Sequence, residues 1–183
     1  MQRLDTRLPG PILLQPTVHG DARGFFVETY RESTFAQVGI ETTFVQHNHS
    51  RSSKGVLRGM HYQIVLAKHV RCARGRILDV IVDIRRGSPH FGQWEAFTLD
   101  DESHQQLFVP AGFAHGFLVL SDVADVVYLQ DDYYDPERDR GIAYDDPDVG
   151  IRWPVDVDLL LSDRDRNQPR LADVPDEDLP EYA

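Results

Sequence analysis

A chain of 183 residues suits one core, or one core with a tail, because single domains are usually built from roughly 100 to 200 residues. With 41% hydrophobic and 27% charged residues it has the composition of a globular protein. No run approaches the ~20 apolar residues of a spanning helix and no signal-peptide pattern opens the chain, so a cytoplasmic protein without a membrane partner is expected. A formal net charge of −11 argues against a nucleic-acid polymer as partner and requires any phosphate-bearing ligand to be held by a local Arg and Lys cluster.

In chain order, short runs rich in β-branched and aromatic residues alternate with turn signals. The first, GFFVETY (24–30), follows HGDARG (19–24). RESTFAQVG (31–39) alone carries a helix signature: Ser33 or Thr34 as cap, Phe35 and Val38 three apart, and Gly39 as stop. Strand-like runs follow at TTFVQHNHS (42–50), GVLRGMHYQ (55–63), HVRCARGRILDVIVDIR (69–85), QWEAFTL (93–99), QQLFVP (105–110), GFLVL (116–120) and DVVYLQDDYY (125–134). The breaks between them carry Gly, Pro or Asp for turn geometry. This rhythm predicts an all-β fold with one or two short helices. Of the sandwich, closed barrel and jelly roll that shield strand edges, the jelly roll is favoured. Beyond Pro154 the pattern weakens. Residues 171–183, with five acids and no Lys or Arg, are expected as a solvated acidic tail on a single domain spanning 1–183.

The period of two in TTFVQHNHS puts Phe44, Gln46, Asn48 and Ser50 on one face, where the two amides either meet a ligand or face solvent. GVLRGMHYQIVLAKHVRC (55–72) sets His61 among Arg58, Lys68 and Arg71. A free imidazole suits proton transfer near neutral pH once a carboxylate or carbonyl fixes its tautomer, and nearby cations stabilise an enolate or bind phosphate. The plain alternative is a buried histidine satisfied by backbone. Arg58 and His61 are three apart, which on a regular strand sends them to opposite faces. Gly59 between them marks a candidate bulge that would bring both to one side. Cys72 has no partner for an internal disulfide and reads as a small buried hydrophobe.

Gly55 to His61 and Pro110-x-Gly112-x-x-His115 resemble the two short motifs of the cupin superfamily, a jelly roll that often holds a metal through an H-x-H pair and a later histidine. Here the second histidine of the pair is Gln63, so no metal site is expected and His61 is left free for acid or base work. At greater length, HGDARGFFVETY, VQHNHSRSSKGVLRGMHYQ, KHVRCARGRILDVIVDIRRGSPHFGQW, VPAGFAHGFLVLSD, DDYYDP and LSDRD resemble the dTDP-4-dehydrorhamnose 3,5-epimerase family in order and spacing, to about residue 170.

That resemblance implies a cofactor-independent homodimer acting on a thymidine-diphosphate 4-keto-6-deoxyhexose in L-rhamnose synthesis. It implies His61 as base, Asp165 as the carboxylate that orients it, Tyr128 as acid on the opposite face of the sugar, and Lys68 beside the developing oxyanion. A phenol with a pKa of ~10 stays protonated until an enolate appears. Arg23, Glu28, Gln46, Asn48, Arg58, His115 and Tyr134 match substrate-binding positions, and N-terminal segments are expected to cross to the neighbouring subunit. Asp139 stands where a glutamate is common and Arg164 where a lysine is common; both join the substrate-binding set with altered reach. The YQIVLA stretch between His61 and Lys68 is shorter than in the family, a change beside the base that bears on which carbon is deprotonated. The competing readings are an epimerase acting at C3 or C5 alone and a sugar-nucleotide-binding cupin that needs neither His61 nor Asp165. A metal-dependent cupin oxygenase is disfavoured by Gln63.

Overall fold

The computed structural model describes residues 1–154 and 156–182. Its first strands are β1 (Gln2–Leu4), β2 (Ile12–Gln15), β3 (Val18–Asp21) and β4 (Gly24–Val27), followed by a short helix, α1 (Glu32–Gln37). Then come β5 (Gln46–Ser53), β6 (Leu57–Tyr62), β7 (Lys68–Arg74), β8 (Arg76–Asp83), β9 (Trp94–Asp100), β10 (Gln106–Val109), β11 (Phe113–Val119), β12 (Val123–Gln130) and β13 (Arg140–Gly141), and a second helix, α2 (Asp163–Arg166). Six strands form one antiparallel sheet in the order β1-β2-β10-β7-β12-β5, and five form a second in the order β13-β6-β11-β8-β9. The result is the all-β jelly roll with two short helices that the strand rhythm predicts.

The inner faces of the two sheets bury Val70, Cys72, Ile77, Ile81, Leu107, Phe117 and Val126 in one core. Cys72 is there as the small apolar residue its surroundings predict. β8 reads as an almost continuous apolar run because both its faces are covered: Ile77 and Ile81 point into that core, while Val80 and Val82 join a second cluster on the outside. The single run expected over 69–85 is divided at Gly75, whose φ of +79° and whose missing Cβ, which would lie 2.1 Å from the Val123 carbonyl oxygen, admit only glycine.

The outer cluster overturns the expectation of a solvated tail. Leu171, Val174 and Leu179 are buried in it, and Arg86 pairs with Asp176 and Glu181 while Arg140 pairs with Asp178. The acids alternate with leucines and a valine, and the cations they meet lie elsewhere in the chain. Each buried aliphatic side chain contributes about 1.5–3 kcal/mol, which outweighs the solvation preference of exposed acids on the other face. The helix α1 also differs in its start: Arg31, without a side-chain cap bond, precedes Glu32, and neither Ser33 nor Thr34 caps it. Phe35 anchors it to the sheet, and Gly39 ends it at φ +92°.

β3 and β4 pair only with each other, forming an arm outside both sheets whose Phe25 and Phe26 are 60% and 70% exposed. Among the described residues no helix is long and apolar enough to cross a membrane.

Under α1, His69 is almost wholly buried, with its ring 4.6 Å from that of Phe35 and its Nε2 2.8 Å from Gln106 Oε1. Burial pushes this imidazole down to about 4; the Gln106 bond opposes the shift and Arg71 adds to it. A folded pKa below the ordinary value of 6.5 means the stabilisation is complete above pH 6.5 and is lost as pH falls through 4. Urea titrations should therefore show the wild type losing about 3 kcal/mol over this window from His69, and His69→Leu should lack that part of the slope.

Candidate active site

Side chains of both sheets and of the segment from Leu160 to Asp165 line a cavity of about 510 Å³. Arg58, His61, Lys68, His115, Tyr128, Arg164 and Asp165 line it together with the apolar Val56, Phe117, Val126 and Leu160. His61 and His115 come from the five-stranded sheet, Lys68 and Tyr128 from the six-stranded one, so they face each other across the cavity.

The bulge expected at Gly59 is present. His115 pairs with His61 and Phe117 with Arg58, so two steps along β11 match three along β6. Arg58 and His61 consequently both reach the cavity. Only glycine fits at the bulge, because a Cβ on Gly59 would lie 2.6 Å from the Gly116 Cα at a φ of +149°.

Opposite His61 the chain returns after 104 residues. Leu160 bridges Val56, with Leu160 N–H donating to the Gly55 carbonyl at 2.8 Å and Leu57 N–H to the Leu160 carbonyl at 3.0 Å. Ser162 then caps α2, its hydroxyl accepting from Asp165 N–H at 3.1 Å. These ties place Asp165 Oδ1 2.6 Å from His61 Nε2. A carboxylate only accepts, so a neutral ring in this contact carries its proton on Nε2 and its lone pair on Nδ1. Burial tends to raise the Asp165 pKa, but the His61 bond and charge, with Ser162 and Arg164, outweigh it and hold the carboxyl below its ordinary value.

Lys68 keeps part of its side chain open to the cavity and makes no ion pair among the described residues. Protein surrounds its ammonium closely enough that desolvation lowers its pKa; Asp139 and Asp79 oppose the shift and Arg164 adds to it. Tyr128 moves the other way: burial raises its pKa, Arg58 opposes, and Asp139 and Tyr134 contribute further, so the phenol holds its proton at neutral pH. His115 Nε2 lies 2.9 Å from both carboxylate oxygens of the fully buried Asp79. Arg58 donates through Nε to Ser52 at 3.1 Å, and its remaining guanidinium N–H groups have no protein partner among the described residues.

Gln46, Asn48, Tyr134 and Asp139, also singled out in the sequence, are not among the residues that line the cavity. Gln46 and Asn48, neighbours on one face of β5, both donate to Gln130 Oε1 (3.0 and 2.6 Å), and Tyr134 N–H donates to Gln46 Oε1. Asp139 is 2.8 Å from Arg164. Gln63 is buried but does not line the cavity. Arg23 and Glu28 are not brought to it: Arg23 sits on the exposed arm paired with Asp21, and Glu28 pairs with Arg31. Two residues escape a reading of the sequence. Asp79 carries a signal in retrospect, a lone acid inside the apolar run ILDVIV, since a charge buried there needs a partner. Gln130 carries none beyond its place at the end of β12.

Comparison with known proteins then bears on this arrangement. A family model described as dTDP-4-dehydrorhamnose 3,5-epimerase matches residues 5–173. This chain belongs to the dTDP-4-dehydrorhamnose 3,5-epimerase family. A relative of that name from Neisseria gonorrhoeae is 50% identical over 167 residues, covering 90% of this chain and 51% of the relative, so the chain spans about half of that protein's length. A solved dTDP-6-deoxy-D-glucose-3,5-epimerase from Legionella pneumophila, in complex with dTDP-4-keto-L-rhamnose, superposes with a TM-score of 0.97 at 43% identity and covers 100% of this chain and 98% of that one. The chain is also similar to a 3'-monoepimerase from Streptomyces bikiniensis in complex with dTDP-quinovose, with a TM-score of 0.92 at 41% identity, covering 97% of this chain and 92% of that one.

Proposed function

We propose that this protein is a cofactor-independent epimerase that inverts C3 and C5 of dTDP-4-dehydro-6-deoxy-D-glucose, yielding dTDP-4-dehydro-L-rhamnose. The observation that carries the reading is the His61–Asp165 pair on one wall of a cavity whose other wall bears Tyr128 and Lys68. The C4 ketone of such a substrate acidifies the protons at C3 and C5 and accepts the electron pair, so the sugar supplies its own electron sink. His61 Nδ1 takes the proton from one face and becomes imidazolium against Asp165. The C4 oxygen, now an enolate, is met by the Lys68 ammonium, which transfers no proton. Tyr128 returns a proton to the opposite face and becomes phenolate, giving inversion. Each inversion ends with imidazolium and phenolate, and proton exchange restores the pair before the second carbon reacts.

Arg58, with free donors at the cavity, suits a diphosphate oxygen, and Gln46, Asn48, His115, Tyr134, Asp139 and Arg164 complete the substrate-binding set around it. The likeness to a 3'-monoepimerase supports a second reading, inversion at C3 alone with the same acid and base. A cytoplasmic setting accords with biosynthesis from a nucleotide sugar and with a single, buried cysteine.

Incubation with the 4-keto sugar nucleotide in heavy water separates these readings. Deuterium at both C3 and C5 is the expected result; label at C3 alone assigns the monoepimerase, and no label with retained dTDP binding contradicts both. His61→Ala should lower exchange by on the order of 10³.

The arm fits a homodimer in which it completes the neighbouring site, because Arg23 and Glu28 lie away from their own cavity and Phe25 and Phe26 are left uncovered. In that assembly a mixture of His61→Ala and Arg23→Ala chains, each inactive alone, forms heterodimers with one intact site. Refolding the two together should recover about a quarter of wild-type activity. Absence of any recovery would show that the arm serves its own subunit.

A further inference from the structure

Three cations line the cavity, Arg58, Lys68 and Arg164, and Asp139, paired with Arg164, also acts on Lys68, whose pKa its charge raises. Its carboxylate is committed to Arg164 at 2.8 Å, and its side chain is only 10% exposed. Lys68 is left without an ion pair among the described residues. The remaining nearby acid, Asp79, is taken up by His115 through both its oxygens. Each of these two anions that could quench the ammonium is thus bound to something else.

We infer that Arg164 is a positioning residue that sequesters Asp139, keeping the Lys68 ammonium unpaired and available to the oxyanion. An ammonium already paired with a carboxylate offers less to a developing enolate, because the carboxylate occupies its donors and cancels its field. An arginine is well matched to this role, since its rigid fork holds a carboxylate in a fixed geometry and it stays charged at any working pH. Arg164 also adjoins Asp165 on α2, so the contact ties the loop before β13 to the helix that carries the partner of His61. The effect on turnover rests on the epimerase reading; the state of Lys68 does not.

Two readouts test it. In protein labelled with 13C at lysine Cε, and with the Lys68 signal assigned through Lys68→Met, Arg164→Ala should move the Lys68 titration midpoint up, and further than it does in the Asp139→Asn background, because loss of the Arg164 charge raises the midpoint in both and only the first also frees Asp139. Arg164→Ala/Asp139→Asn should bring the midpoint back down. In heavy-water exchange kinetics, Arg164→Ala should lower kcat by roughly 10- to 100-fold, a loss that Asp139→Asn partly restores in the double variant and that Arg164→Lys largely avoids. A Lys68 midpoint that Arg164→Ala raises no further than it does in the Asp139→Asn background overturns the inference whether or not the protein epimerises this sugar. So does a rise in KM with kcat unchanged and no rescue by Asp139→Asn, which would make Arg164 a substrate ligand only. Thermal melts of each variant identify any that fail to fold, and Arg164→Lys, which keeps the charge, then carries the titration.

Discussion

The contact between His61 Nε2 and Asp165 Oδ1, 2.6 Å long and closed across 104 residues, is the constraint on which the site depends. A neutral imidazole has one donor nitrogen and one acceptor nitrogen, and the carboxylate decides which is which. Producing that contact occupies much of the surrounding architecture. The Gly59 bulge turns His61 inward together with Arg58, the Leu160 bridge fixes the returning chain against β6, and the Ser162 cap starts α2 so that Asp165 faces the ring. Each of these is a local backbone arrangement of no evident purpose alone, and together they orient one proton.

The same cavity tunes two groups in opposite directions by one cause. Desolvation disfavours the charged form, so it raises the Tyr128 phenol and lowers the Lys68 ammonium. The protonated phenol is the form an acid needs, whereas a desolvated ammonium is unstable in the resting protein and is relieved when a negative charge forms beside it. The inter-sheet core supplies the low-dielectric floor, because Phe117 and Val126 belong both to that core and to the cavity lining. Packing and chemistry are therefore not separable here: the side chains that hold the sheets together also set the medium in which the proton moves.

Much of this is legible in the chain. Period-two runs between Gly, Pro and Asp breaks locate most of the strands, since a half-buried strand must alternate, and β8 remains readable as a strand although both its faces are covered. The requirement that Arg58 and His61 share a side points to the bulge from sequence alone, because the spacing of three conflicts with a regular strand. The acidic C-terminus misleads, its Leu171, Val174 and Leu179 being too widely spaced for a periodic signal while their burial depends on a distant sheet face. The pairing of His61 with Asp165 rests on family resemblance, since composition offers many aspartates and no local pattern selects one. Gln130, the partner of Asp79 and the Asp139–Arg164 contact are invisible for the same reason: partner choice across the fold is a tertiary fact.

The most direct test reads the tautomer of one ring. In 15N-histidine-labelled protein, at a pH where His61 is neutral, the contact with Asp165 requires the proton on Nε2 with Nδ1 bearing the lone pair, and a mixture of tautomers once Asp165→Ala removes the acceptor. A neutral His61 protonated on Nδ1 in the wild type would contradict it, because the nitrogen facing Asp165 would then be the acceptor and the ring would have no lone pair to offer a substrate.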